Sequence, residues 1–324
     1  MSAASDWLSW LFSSASASEA WQTLFARLAE LATAVPTPAA LQKQIALGDR
    51  LLAECAWELW SAYAHENDFP RTSRALQAWW HTPSTWGKAA LILDAFSVQE
   101  LPALLAGAKA RSVENVTVQV TGSEVPSETD QFAQALGVPS RSSLANNHAP
   151  GGFVLDRDHT YTDVFNLPFE DCVISIPNEK QLVIWHSWLD DQIHVYHKSP
   201  NHIAQLATKT LQRDGFWAFV DRLRQGRELI ITSDHGYAVS KRFTNEQDSA
   251  AIEALRNVFG ASRCKPAAES WSHVFMPPLV VTTNKHHVVI GPRKWKVQGG
   301  FPHLCHGGLS LCEVAVPYVK LPAL

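Results

Sequence analysis

Little in this sequence points to an exported, membrane-spanning or polyanion-tracking protein. Five cysteines occur (Cys55, Cys172, Cys264, Cys305 and Cys312), an odd number with no C-x-x-C pair. Neither a disulfide framework nor a zinc ribbon is therefore indicated, and a reducing compartment fits best. No run approaches the roughly 20 apolar residues that a membrane-spanning helix needs. The opening "MSAASDWLSWLFSSASASEA" has a short apolar patch, but Asp6 stands where a secretory leader carries Lys or Arg, so the expected location is cytoplasmic. Positive charge is not in excess: the net charge of -4 argues against a general electrostatic grip on nucleic acid and leaves a local basic patch open. Internal repeats and low-complexity tails are absent, as are a Gly-rich phosphate loop, a dinucleotide fingerprint and any base-reading module.

What is present is enough apolar residue, 46% of 324, to bury one large or two modest domains. Residues 1–88 are rich in Ala, Leu, Glu and Trp. In "SEAWQTLFARLAELATAV" the apolar positions recur at helical spacing behind a Ser with Glu nearby, which predicts a helical region. Eight of the 13 tryptophans fall here: Trp7, Trp10, Trp21, Trp57, Trp60, Trp79, Trp80 and Trp86. Helix packing is the first reading of that density, and docking of a protein partner the second. Residues 89–324 change texture. Short β-type runs ("AALILDAF", "VENVTVQVTG", "DCVISI", "QLVIWH", "ELIITSDHG", "HVVIG", "CEVAVPYV") alternate with amphipathic stretches, which predicts a largely parallel α/β sheet covered by helices on both faces.

Open parallel sheets bind ligands beyond the carboxyl ends of their strands, and chemistry-bearing residues stand at several such ends. "ELIITSDHG" closes on Asp234 and His235, and "KAALILDAF" on Asp94. Each also has a plainer reading. Ser-Asp-His-Gly is good turn chemistry, and Asp94 is a helix cap unless Ser97 fills that role. Thr129 in "EVPSETDQFAQALG" stands at or just inside a helix start, where it is either a nucleophile activated by a metal or base, or, with Ser127, a cap. In "WHSWLDDQIHVYHKSPNH" Asp190 and His194 are four residues apart, hence on one helical face with Cβ atoms about 5 to 6 Å apart, as two ligands of one ion require. Asp191 with His194, and His197 or His202, are alternatives. In "FPHLCHGGLSLCEVAVPYV" His306 precedes two glycines that let the backbone pass close to a ligand, and His303 flanks it. Upstream of them, Arg293, Lys294 and Lys296 are candidates to flank a bound phosphate.

In this order, "ILDAF", "PSET", "LDDQIH", "TSDHG" and "HGGLSLCEVAVP" resemble the PglZ domain, a branch of the alkaline phosphatase superfamily, from about Lys88 to Leu324. The resemblance implies two metal sites, usually zinc, with manganese also compatible with the donors. One would be held by Asp94, Asp234, His235 and the nucleophile Thr129, the other by Asp190, His194 and His306. Every ligand so implied is present. Two divalent ions about 3.5 to 4 Å apart can bridge a phosphoryl group, so the implied activity is metal-dependent hydrolysis of phosphate esters, leaning towards phosphodiesters such as nucleotides or oligonucleotides. A place in phage defence or signalling is implied as well. Phosphate monoester hydrolysis and a catalytically silent interaction protein are the alternatives. A sulfatase is excluded, because "CKPAA" at Cys264 lacks the Arg of that family's motif and lies far from Asp94. The interval from Thr129 to Asp190 is also too short for the inserted domain of a cofactor-independent phosphoglycerate mutase.

Overall fold

The computed structural model describes residues 7, 9–11, 14–35, 37–66, 68–268 and 270–324; Asp6 lies outside them. Up to residue 80 the described residues form successive helices, among them Ala17–Ala34, Pro38–Glu54, Trp57–His65 and Thr72–Trp80. Local chemistry sets their starts. The Ser16 hydroxyl accepts from Glu19 N, Thr37 accepts from Ala40 N, and Pro38 takes the first turn, where a missing N–H costs nothing. Trp21, Leu24, Phe25, Leu28 and Ala32 then line one buried stripe.

A six-stranded sheet follows. Its strands are β1 (Gly87–Leu93), β2 (Thr117–Gly122), β3 (Thr160–Phe165), β4 (Gln181–His186), β5 (Arg227–Thr232) and β6 (Ala315–Leu321), in spatial order β2-β6-β5-β1-β4-β3. β1 pairs in parallel with β4 and β5, placing Leu91 opposite Ile184 and Ile231. Only β6 is reversed, running antiparallel to β5 and β2. Because strand side chains alternate, the central apolar runs feed two cores at once. Leu91, Leu93, Ile184 and Ile231 face Trp21, Tyr63, Leu104, Ile203 and Phe219, whereas Ala90, Ile92, Trp185 and Ile230 face Leu76, Trp80, Phe132 and Leu144.

Trp7, Trp21 and Trp60 are therefore packed into the same core as the sheet, and Trp80 into the other; Trp86 is exposed. The change of texture near residue 88 is a change of secondary structure, not a break in the core. The helical region also reaches the loops beyond the strand ends. The Tyr63 hydroxyl and Arg71 Nη1 both donate to Ser123 O at 2.7 Å, with the Arg71 guanidinium 3.7 Å from the Tyr63 ring centroid. Asp49 Oδ1 accepts from Leu311 N at 2.5 Å, just ahead of β6. A three-stranded antiparallel sheet (Cys264–Pro266, His286–Val289, Val280–Thr282) and helix Ser249–Phe259 complete the chain around a smaller apolar cluster. Among the described residues no helix is long and apolar enough to cross a membrane.

Candidate metal centre

The carboxyl ends of β1, β2, β4 and β5 lie on one edge of the sheet, and reversed β6 brings its amino end to the same edge. Asp94 follows β1, and its N–H continues the ladder by donating to His186 O at 2.9 Å. Ala95 then turns in the left-handed region, at φ 59°, costly for a residue with a Cβ. The turn directs Ala95 N at Asp234 Oδ1, 3.1 Å away, and Phe96 N at Ser233 Oγ, 2.9 Å away. The ends of β1 and β5 are thereby tied together.

Asp94, Asp234 and His235 meet there as a buried group of potential ligands, at most 1% exposed. Thr129 joins them from the first turn of helix Thr129–Ala135, which follows β2: its Oγ1 donates to Asp234 Oδ2 at 2.8 Å and lies 3.4 Å from Asp94 Oδ1 and 3.2 Å from His235 Nε2. His235 Nδ1 faces Gly236 O at 2.9 Å. A carbonyl can only accept, so that nitrogen carries the proton and Nε2 presents its lone pair to the cluster, the arrangement of a metal-ligating imidazole.

A second group joins Asp190 and His194, on helix Trp188–Val195 after β4, with His306. Asp190 Oδ2 is 3.4 Å from His194 Nε2. The His306 ring stacks on His235 at 4.7 Å and meets His194 edge-on at 6.5 Å, so it stands between the groups. Asp191 turns away, its carboxylate accepting from Ser187 Oγ. His197 Nδ1 faces His194 O, the His202 ring lies tilted against Tyr196, and His303 Nδ1 faces Lys198 O; none of the three joins either group.

The residues fit divalent cations on two grounds. Asp190 Oδ1 and His306 Nδ1 are buried with no hydrogen-bond partner, which is costly unless something else is coordinated. Asp94 is also held well above the usual carboxylate range by burial and then by the charges of Asp234 and Asp190, with Arg141 opposing. Several acids in so little water call for positive charge. His306 Nδ1 lies 3.4 Å from Glu128 Oε1, close enough for an ion pair but without hydrogen-bond alignment. Burial alone would lower the imidazole; the approach of Glu128, with Asp190 beyond it, pushes it up to about 9.

The plainer readings of several motifs are settled by contacts. Ser97, not Asp94, caps the turn after β1, accepting from Gln99 N. Ser127 is not the cap: its Oγ accepts from Gly307 N at 3.0 Å and donates to Gly308 O at 2.9 Å. The double glycine is required there. Gly307 has φ 89°, and a Cβ on Gly308 would sit 2.5 Å from the Arg263 guanidinium, which is itself paired with buried Glu313 at 2.8 Å. Gly236 is needed for close approach and not for positive φ, since a Cβ would come 2.3 Å from Cys312 O. Arg293 does not flank the clusters; it pairs with Glu246 at 3.2 Å and donates to Ile290 O at 2.8 Å. Two residues with no signal in the sequence hold Asp94 Oδ2: Arg141 Nη1, and Trp185 Nε1 at 3.2 Å.

This fold is that of the alkaline-phosphatase-like hydrolases of phosphate esters. The chain belongs to the PglZ family: the BREX system PglZ alkaline phosphatase-like domain matches residues 103–321, more than half of its length. Similar solved structures include phosphonoacetate hydrolase from Sinorhizobium meliloti 1021 in complex with phosphonoacetate, 13% identical with a TM-score of 0.40, covering 74% of this chain and 91% of that one. Another is murine ectonucleotide pyrophosphatase/phosphodiesterase 5, 13% identical with a TM-score of 0.42, covering 73% of this chain and 88% of that one. No curated protein matches the chain.

Proposed function

We propose that the chain is a metal-dependent phosphodiesterase with Thr129 as nucleophile, acting on nucleotides or oligonucleotides. The observation that carries this reading is the position of Thr129 Oγ1, within 3.4 Å of Asp94, Asp234 and His235 at the sheet edge. Asp94, Asp234 and His235 would hold one divalent ion and Asp190, His194 and His306 the other, with zinc favoured by the mixed carboxylate and imidazole donors and manganese second. Such ions supply Lewis acidity to the attacking and leaving oxygens.

The protein's own groups do the rest. Asp234 Oδ2 accepts the Thr129 hydroxyl hydrogen bond and aims Oγ1 into the cluster. Oγ1 forms a bond to phosphorus as the bond from phosphorus to the leaving oxygen breaks, the Thr129 proton passing by way of Asp234 Oδ2 to that departing oxygen; water then attacks phosphorus, the bond to Oγ1 breaks, Oγ1 recovers a proton from the water, and a phosphate monoester leaves. In this proposal residues 89–324 are the catalytic unit, and residues 1–88 brace its loops through the Ser123 and Leu311 contacts. That every implied ligand stands in one of two clusters supports an enzyme over a silent interaction protein. The family description, which names the BREX system, supports a role in phage defence.

The test is metal analysis together with rates on nitrophenyl mono- and diesters. Turnover of the diester that chelation abolishes supports the reading. A monoester preferred by a large factor makes the protein a phosphatase, and metal without turnover of either ester makes it a silent scaffold.

A further inference from the structure

A cavity of about 1360 Å³ has a wall built from continuations of the chain segments that carry the candidate ligands. Lys198 lies four residues beyond His194, Ser240 five beyond His235, and His303 three before His306. These segments are tied together: Ser240 N donates to His303 O at 2.9 Å, and His303 Nδ1 donates to Lys198 O at 3.0 Å. Three residues span at most about 11 Å, so this wall begins close to His306.

The cavity is strongly basic in a chain whose net charge is -4. Lys198, Lys241, Arg242, Lys294 and Lys296 line it, and none has an ion-pair partner among the described residues; the lining acid Glu246 is taken by Arg293. The first turn of helix Pro200–Leu211 also lies in the wall, with no acidic residue and no side-chain cap, which leaves its positive end open to an anion. Phe301 adds a half-buried ring, backed edge-on by Trp295 at 4.9 Å. Cations that follow a backbone, together with an aromatic face for a base, are the recognition chemistry of single strands.

We propose that this cavity binds the continuation of a single-stranded nucleic acid whose scissile phosphate sits at the two clusters, an inference that rests on the phosphodiesterase reading above. The strand leaves the sheet edge past His303 and follows the cations, with one base stacked on Phe301. Duplex is disfavoured, because the cations are gathered in one concavity and not spread along a face.

Binding of a fluorescein-labelled thymidine hexamer, followed by anisotropy against salt on Thr129→Ala protein so that no cleavage occurs, tests the proposal. Five phosphate contacts give a slope of log K against log salt near about -3.5, and a Lys241→Glu/Arg242→Glu variant reduces its size by about 1.4 and weakens binding at least tenfold at low salt. Phe301→Leu, which keeps the apolar packing, weakens binding by about fivefold. Hexamer affinity unaffected by the charge variant overturns the site. Duplex bound as tightly as the single strand, or tripolyphosphate displacing the hexamer with Phe301→Leu silent, overturns the nucleic-acid assignment. Failure of the wild type to cleave the nitrophenyl diester overturns the phosphodiesterase reading alone, because the binding arms still decide the cavity.

Discussion

The two candidate ligand groups share a sheet edge but are held in different ways. Asp94, Asp234 and His235 hang from strand ends, are buried, and already have partners: Arg141 and Trp185 on Asp94, Ala95 N and Ser233 on Asp234, Gly236 O on His235. Asp190, His194 and His306 come from a helix and a glycine turn outside the sheet. The side chain of His194 is 68% exposed, and Asp190 Oδ1 and His306 Nδ1 are buried without a hydrogen-bond partner. The first group is assembled by the fold. On the proposed reading, a cation would complete the second.

The largest effect is expected at the Thr129 hydroxyl, which belongs to the buried group. Thr129→Ala should lower turnover by roughly 10³-fold or more while leaving metal content and fold intact, because the hydroxyl supplies the bond to phosphorus. Steady-state rates with parallel metal analysis check it, and wild-type rates would hand the attack to a water molecule. A second contrast separates the groups by thermal melting. Asp234→Asn keeps an acceptor for Ala95 N and removes one of two crowded buried charges, so the Tm of metal-free protein should rise while the rise on adding metal shrinks sharply. Asp190→Asn should leave the metal-free Tm nearly unchanged and lose one ion per chain. Equal behaviour of the two variants would erase the distinction drawn between the groups.

A smaller effect concerns the braces around the sheet edge. Asp49 is raised to about 7, by burial foremost, and Glu100, which accepts from Tyr237 at 2.6 Å, is raised by burial to about 8. The folded state thus binds protons that the unfolded chain has released. The stability these acids contribute is fully present below about pH 4 and is lost as pH rises through 7 to 8. Denaturant midpoints should fall over that range in the wild type and fall less in Asp49→Asn and Glu100→Gln; identical slopes would refute the assignment. The mildest change expected is Asp191→Asn, whose carboxylate faces Ser187 and neither cluster. Metal content should be unchanged and activity within about twofold, since surface changes away from such features cost little.

What could be read in advance was whatever depends on local spacing. An acid at the end of an apolar strand, an Asp and a His four apart, and a Gly-Gly turn after a His are short-range patterns, and their parallel strands fix the edge they share. What could not be read depends on residues far apart. Arg141 reaches Asp94 across 47 positions, Tyr63 reaches Ser123 across 60, and Asp49 reaches Leu311 across 262. No periodicity announces such pairs. Ser127 and Arg293 misled for the same reason: each had a plausible local role, and a distant partner, the Gly307 turn in one case and Glu246 in the other, had already taken the side chain.

On the proposed reading, two divalent ions complete the edge and turnover depends on them. Metal content per chain, measured on the purified protein before and after exhaustive chelation alongside the rate on bis(4-nitrophenyl) phosphate, tests it most directly. About two ions per chain are expected, with turnover lost on their removal and regained on adding zinc or manganese. An undiminished rate after verified removal of metal would contradict it.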